Sequence, residues 1–110
     1  MTGNEFQKAA LRTAGAKDPE SLVLNGVMGL GGEAGECLDL VKKRLFQGHP
    51  MDKEHLAKEL GDCAWYLAVA AAGIDYDLDT IFQMNKEKLE ARYPNGFEAE
   101  RSLHREDGDV

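Results

Sequence analysis

Apolar residues recur every three or four positions in four separate stretches of the chain, and no stretch alternates with a period of two. This pattern predicts an all-α fold. The first helix spans residues 2–14: Thr2 and Glu5 have capping-box spacing, and Phe6, Ala9, Ala10 and Leu11 form one apolar side. Gly15 to Pro19 breaks it, and Pro19 suits the first turn of the next helix. The second helix runs from about Pro19 to Phe46, with Val23, Val27, Leu30, Ala34, Leu38, Val41 and Leu45 as its apolar seam. Gly26, Gly29, Gly31, Gly32 and Gly35 interrupt that pattern, each costing about 1 kcal/mol against Ala in a helix interior. Two readings stand. Either Gly29-Leu30-Gly31-Gly32 divides the helix into two pieces, or the small residues let another backbone or a ligand approach closely.

Gln47 to Met51 reads as a loop, with a helix-ending Gly and a Pro beyond it. Asp52 caps a third helix running to about Ala72, with Leu56, Leu60, Cys63, Ala64, Leu67 and Ala71 as its seam and Gly73 at its end. Asp77 caps a fourth, to about Tyr93, with Leu78, Ile81, Phe82, Met84 and Leu89 apolar and Pro94-Asn95-Gly96 ending it. Residues 97–110 are charged and read as an extended tail, with Phe97 and Leu103 the residues able to dock it. The short loop between the second and third helices implies an antiparallel hairpin. The expectation is one domain over residues 1–110, with a four-helix bundle-like core. The apolar arc on the second and third helices is broad, so oligomerisation into a homodimer or homotetramer is expected to complete the core.

Composition narrows the partners. The 110 residues are 43% hydrophobic and 30% charged, which is ordinary for a globular chain, and the formal net charge is −7. That charge disfavours non-specific binding to nucleic acid or to an anionic membrane. An anionic substrate remains compatible with it, because a bound divalent cation inverts the local field. No signal peptide, membrane-spanning run or lipidation motif is apparent, so the cytoplasm is the expected compartment. The two cysteines, Cys37 and Cys63, read as small buried thiols rather than a disulfide.

The candidate chemistry lies in two short acidic motifs that copy each other. Glu33-Ala34-Gly35-Glu36-Cys37 and Glu59-Leu60-Gly61-Asp62-Cys63 both read Glu, apolar, Gly, acid, Cys. On a helix the i, i+3 spacing sets two carboxylates on one face, where they repel unless a cation lies between them. Glu36 lies 13 residues before His49 in the loop and Asp62 lies 13 after it, so an antiparallel hairpin holds the motifs level. At ~100° per residue, Glu33 and Glu59 both fall at the margin of an apolar arc, where unpaired carboxylates are costly. Glutamates at i, i+3 are commonly solvated surface charges. The repetition, level and rotation together favour a cation site built from Glu33, Glu36, Glu59 and Asp62. Four oxygen donors suit Mg²⁺ or Mn²⁺ better than zinc. A di-iron carboxylate bundle would need Glu-x-x-His on two helices, and neither motif has a His in the fourth position. On the fourth helix Asn85, Lys88 and Arg92 share a face suited to phosphates, although a basic helical face is more often simply solvated. Tyr66, four residues after Asp62, can stack on a base or ribose, whereas Trp65 reads as core. Phe6 and Gln7 are candidates to close the pocket.

At this point the chain resembles the MazG-like all-α nucleoside triphosphate pyrophosphohydrolases. The family pattern E-E-x-x-E, spacer, E-x-x-D appears as Gly32-Glu33-x-x-Glu36, 22 intervening residues, then Glu59-x-x-Asp62. Asn85-Lys86-Glu87-Lys88-Leu89-Glu90-Ala91-Arg92-Tyr93-Pro94 resembles the family's Asn-x-x-Lys-Leu-x-x-Arg-Tyr-Pro ending. Gly32 departs from the pattern by replacing the first acid of the doublet. The resemblance implies Mg²⁺-dependent cleavage between the α and β phosphates of a nucleoside triphosphate, giving the monophosphate and pyrophosphate, in a dimer or tetramer of helical bundles. The competing readings are a helical interaction module without catalysis and a hydrolase of another phosphorylated metabolite.

Overall fold

The structure, a computed structural model, describes residues 1–110 and is all-helical. Five helices follow one another: α1 (Gly3–Leu11), α2 (Pro19–Phe46), α3 (Lys53–Gly73), α4 (Leu78–Arg92) and α5 (Ala99–Leu103). They form two compact units, Met1–Leu78 and Asp79–Val110. No helix is long and apolar enough to cross a membrane.

In the first unit the predicted caps Thr2 and Asp52 set their helix starts, and Asp18, which the sequence reading did not single out, caps α2. Thr2 Oγ1 accepts from the Glu5 N–H at 3.0 Å, Asp18 Oδ2 from Ser21 N–H at 3.0 Å, and Asp52 Oδ1 from His55 N–H at 3.0 Å. α1 ends at Leu11, short of the expected 14. There Thr13 turns back to Ala10, both its N–H and its hydroxyl donating to that carbonyl at 3.0 Å. α2 and α3 form the antiparallel hairpin, and α1 packs on α3.

α2 is unbroken through Gly29–Gly32, so the glycines do not divide it. At Gly26 and Gly29 they admit α3 instead. A Cβ on Gly26 would lie 2.6 Å from the backbone N and from the Cβ of Ala70. A Cβ on Gly29 would collide with the Tyr66 ring. This corrects the expected seam. Val23 of that seam does meet α3, at Gly73, but beyond it the face of α2 that meets α3 carries Gly26, Gly29, Glu33 and Cys37, roughly one residue round from the apolar seam. Val27, Leu38 and Leu45 of that seam remain 58%, 71% and 67% exposed. The residue pattern pointed to the wrong stripe because glycine carries no apolar signal yet permits the closest approach. On α3, Leu60 likewise faces outward, and the core gathers at the C-terminal half on Ala68, Val69 and Ala71, with Ala10, Leu22 and Leu78.

Gln7 is the polar member of this core. Its Nε2 donates to the Ala68 and Tyr76 carbonyls, each at 3.1 Å, and its Oε1 accepts from the Leu78 N–H at 3.1 Å. One buried amide thus ties α1 to α3 and to the first N–H of α4, which a helix start would otherwise leave unpaired. The expectation that Gln7 closes a pocket gives way to this structural role.

The second unit holds the rest of α4 and the C-terminal segment. Residues 97–110 are not simply extended, since Ala99–Leu103 is helical. Phe97 and Leu103 are 75% and 79% exposed and do not bury the segment. Arg92 does the docking: its Nε and Nη2 donate to Asp109 Oδ2 and Oδ1 at 2.9 and 2.7 Å.

The glycines give a stability test. Gly26→Ala is expected to destabilise the protein, since overpacking against the Ala70 backbone costs about 1–3 kcal/mol and outweighs a helix-propensity gain of about 1 kcal/mol. A Cβ on Gly31 meets nothing within 4 Å, so Gly31→Ala should gain about that propensity term. Urea unfolding of the two variants in dilute solution checks the opposite signs.

Candidate metal centre

The register fixed at Gly26 and Gly29 carries on along the hairpin and brings Glu33 of α2 against Glu59 and Asp62 of α3. Carboxylate oxygens of these three residues all lie within 4.8 Å of one another. Glu36 stands outside this group, exposed, but close enough for its charge to act on Glu33. Glu33 is half-buried and its carboxyl is pushed up to about 7. The first cause is a hydrogen bond shared with Glu59, followed by burial and then repulsion from Glu59, Asp62 and Glu36. Below about pH 7 the cluster thus relieves its own repulsion by holding a proton. The donor set is entirely carboxylate, which fits a hard divalent cation.

The supporting residues are partly ones the motifs did not reveal. His55 Nε2 lies 3.1 Å from Glu59 Oε1 and orients that carboxylate from one helical turn away. The i, i+4 spacing of His55 and Glu59 was visible in the sequence, but only as one of many such pairs. Cys37 and Cys63 are free thiols. Burial raises Cys37 first, and the neighbouring Cys63 raises it further, which marks it as an inert packing group.

Glu33 and Asp62 also line an open cleft of about 340 Å³ with Trp65 and Tyr66. The two rings meet edge to face, with centroids 5.0 Å apart and planes at 85°. Trp65, expected in the core, is instead a half-buried part of the cleft wall, and its Nε1 donates to Thr13 Oγ1 at 2.8 Å. Gly29 is the residue that leaves room for the Tyr66 ring. Phe6 and Gln7 do not line this cleft. At Gly32, where the doublet lacks an acid, the space around a Cβ is open, so no packing contact enforces glycine there. Asn85, Lys88 and Arg92 lie on α4 in the second unit. Asn85 is exposed and Lys88 half-buried, and Arg92 is held by Asp109 with its guanidinium 5.9 Å from the centre of the Tyr93 ring.

A helical hairpin that draws three carboxylates together beside an aromatic cleft defines an all-α protein with an acidic cluster able to hold a cation. The chain belongs to the MazG nucleotide pyrophosphohydrolase domain family, whose sequence model matches residues 23–97. It is similar to the Gene 37 protein of Mycobacterium phage L5, at 39% identity over 100 residues covering 83% of this chain and 88% of that one. No solved structure matches the chain significantly.

The raised Glu33 carboxyl has a signed consequence for stability. Its folded value of about 7 exceeds the ordinary 4.5, so the folded state holds an extra proton between these values. The associated stabilisation is complete below the lower value and is lost as pH rises through the upper one. In chelator, unfolding free energy should fall across this window, and Glu33→Gln should flatten the slope. Denaturant titrations at a series of pH values measure both.

Proposed function

We propose that the protein is a Mg²⁺-dependent nucleoside triphosphate pyrophosphohydrolase that cuts between the α and β phosphates. The observation that carries this reading is the convergence of Glu33, Glu59 and Asp62 across the hairpin of a chain belonging to this family. These three residues would hold the cation, with Mn²⁺ an alternative to Mg²⁺ on the same oxygen donors. When bound, the cation supplies charge neutralisation for phosphate oxygens and acidifies a coordinated water.

The remaining work falls to the chain. Hydrolysis adds water across the α–β bridge, releases nucleoside monophosphate and pyrophosphate, and requires a group to accept the water's proton. Glu36, outside the three-carboxylate group, is our candidate for that acceptor. His55 keeps Glu59 oriented, and Tyr66 with Trp65 offers aromatic surface for a base or ribose. Asn85, Lys88 and Arg92 are the proposed phosphate contacts, since phosphoryl chemistry depends mostly on positioning and charge. The outward stripe of Val27, Met28, Leu38, Leu45 and Phe46 supports association with further copies of the chain, as a homodimer or homotetramer.

Glu59→Gln separates this reading from a cluster that is only structural. Removing one charge should raise metal-free stability while Mg²⁺-dependent hydrolysis of nucleoside triphosphates falls by orders of magnitude. Unchanged turnover would exclude the cation-assisted mechanism. Mg²⁺ should also raise the Tm of the wild type, by about 2.7 kcal/mol of stability at a hundredfold excess over Kd. A Tm indifferent to millimolar Mg²⁺ and to chelator would remove the site. Sedimentation equilibrium at micromolar protein should give a mass above that of one chain.

A further inference from the structure

The second unit contains a cavity of about 290 Å³ lined by none of the three clustered carboxylates. Lys88 and Arg92 of α4 line it together with Arg101, His104 and Arg105 from the C-terminal segment. This gathering of basic groups stands out in a chain of net charge −7. Asp109 enters the same cavity and takes both donors of the Arg92 fork, at 2.9 and 2.7 Å. The pair is well covered, its side chains only 10% and 16% exposed. Gly108, at φ +86°, makes the turn that delivers Asp109, and the Asp109 N–H closes that turn on the Glu106 carbonyl at 3.1 Å.

We propose that the C-terminal segment and the end of α4 form a binding pocket for a phosphate-type anion, with Asp109 as an internal carboxylate latch that the anion displaces. The guanidinium fork binds carboxylate and phosphate with the same paired geometry, so the two compete for one set of donors. Charge favours the phosphate. The single carboxylate of Asp109 is held down by Arg92 first and also feels Arg105 and Lys88, which leaves positive charge in excess around it. Arg101 is only loosely occupied, its Nε lying 3.9 Å from Glu98. Glu106 and Asp107 also line the cavity and moderate this excess. A dianion or trianion balances the excess more fully than one carboxylate does. The volume is at the small end for ligand pockets, which suits orthophosphate or pyrophosphate rather than a whole nucleotide.

The pocket shares Lys88 and Arg92 with the phosphate contacts proposed above, but its test involves no turnover, so failure here and failure of the hydrolase reading are separate results. Inorganic pyrophosphate is titrated calorimetrically into the full chain in chelator, with orthophosphate as a second arm to show which anion is preferred. Wild-type protein should bind, and Asp109→Asn should bind more tightly, by about tenfold if the latch is closed nine-tenths of the time. Arg105→Gln, which leaves the latch pair intact, should weaken binding several-fold. Hydrogen exchange of the Asp109 amide, bonded to the Glu106 carbonyl in the closed latch, should quicken in the wild type when pyrophosphate is added. The absence of binding by either anion at millimolar concentration overturns the proposal. So does an Asp109→Asn affinity equal to or below that of the wild type, an unaffected Arg105→Gln, or unchanged exchange of the Asp109 amide in the complex.

Discussion

The close approach of α2 and α3 at Gly26 and Gly29 is the constraint on which the rest of the first unit depends. Backbone contact at Gly26–Ala70 and the seat of the Tyr66 ring on Gly29 allow only one register. A slip of one residue would drive a side chain into backbone, which a packed interface does not absorb. That register carries Glu33 to Glu59 and Asp62 and points Tyr66 and Trp65 into the adjoining cleft. The helix-propensity cost of these two glycines is offset by the packing they permit.

The carboxylate group is the counterpart of this tight packing. Acids are drawn together at a partly covered position, and below about pH 7 a proton on Glu33, bonded to Glu59, limits the repulsion. Such an arrangement is poor for stability and suited to capturing a cation, since a ligand that binds only the folded state recovers what the repulsion costs. His55 holds Glu59 in place without adding charge of the same sign. The buried core is small and rich in alanine, while large apolar residues face outward along α2. The first unit thus combines a tight hairpin with an apolar surface that its own helices leave bare.

The second unit shows a different use of charge. Arg92, read from the sequence as a candidate phosphate contact, is held by a carboxylate from seventeen residues further on. The segment after Phe97 is anchored by this ion pair rather than by its exposed apolar residues. A charged, glycine-containing stretch reads as unstructured because long-range ion pairs leave no periodic mark in a sequence.

Local physics determined much of this protein from sequence alone. Thr2, Asp18 and Asp52 set helix starts by bonds three residues away, and the repeated Glu-x-x-acid motif, matched about a short loop, already placed acids from both helices at one level. These are short-range rules, and the chain obeys them. The tertiary structure decided which stripe of α2 meets α3, that Glu33 rather than Glu36 joins the acids of α3, that Gln7 is a buried clamp, and that Asp109 reaches Arg92. Each of these depends on how closely two distant segments can approach. Hydrophobic periodicity does not encode that distance, and between α2 and α3 glycine, which sets it, contributes nothing to the pattern.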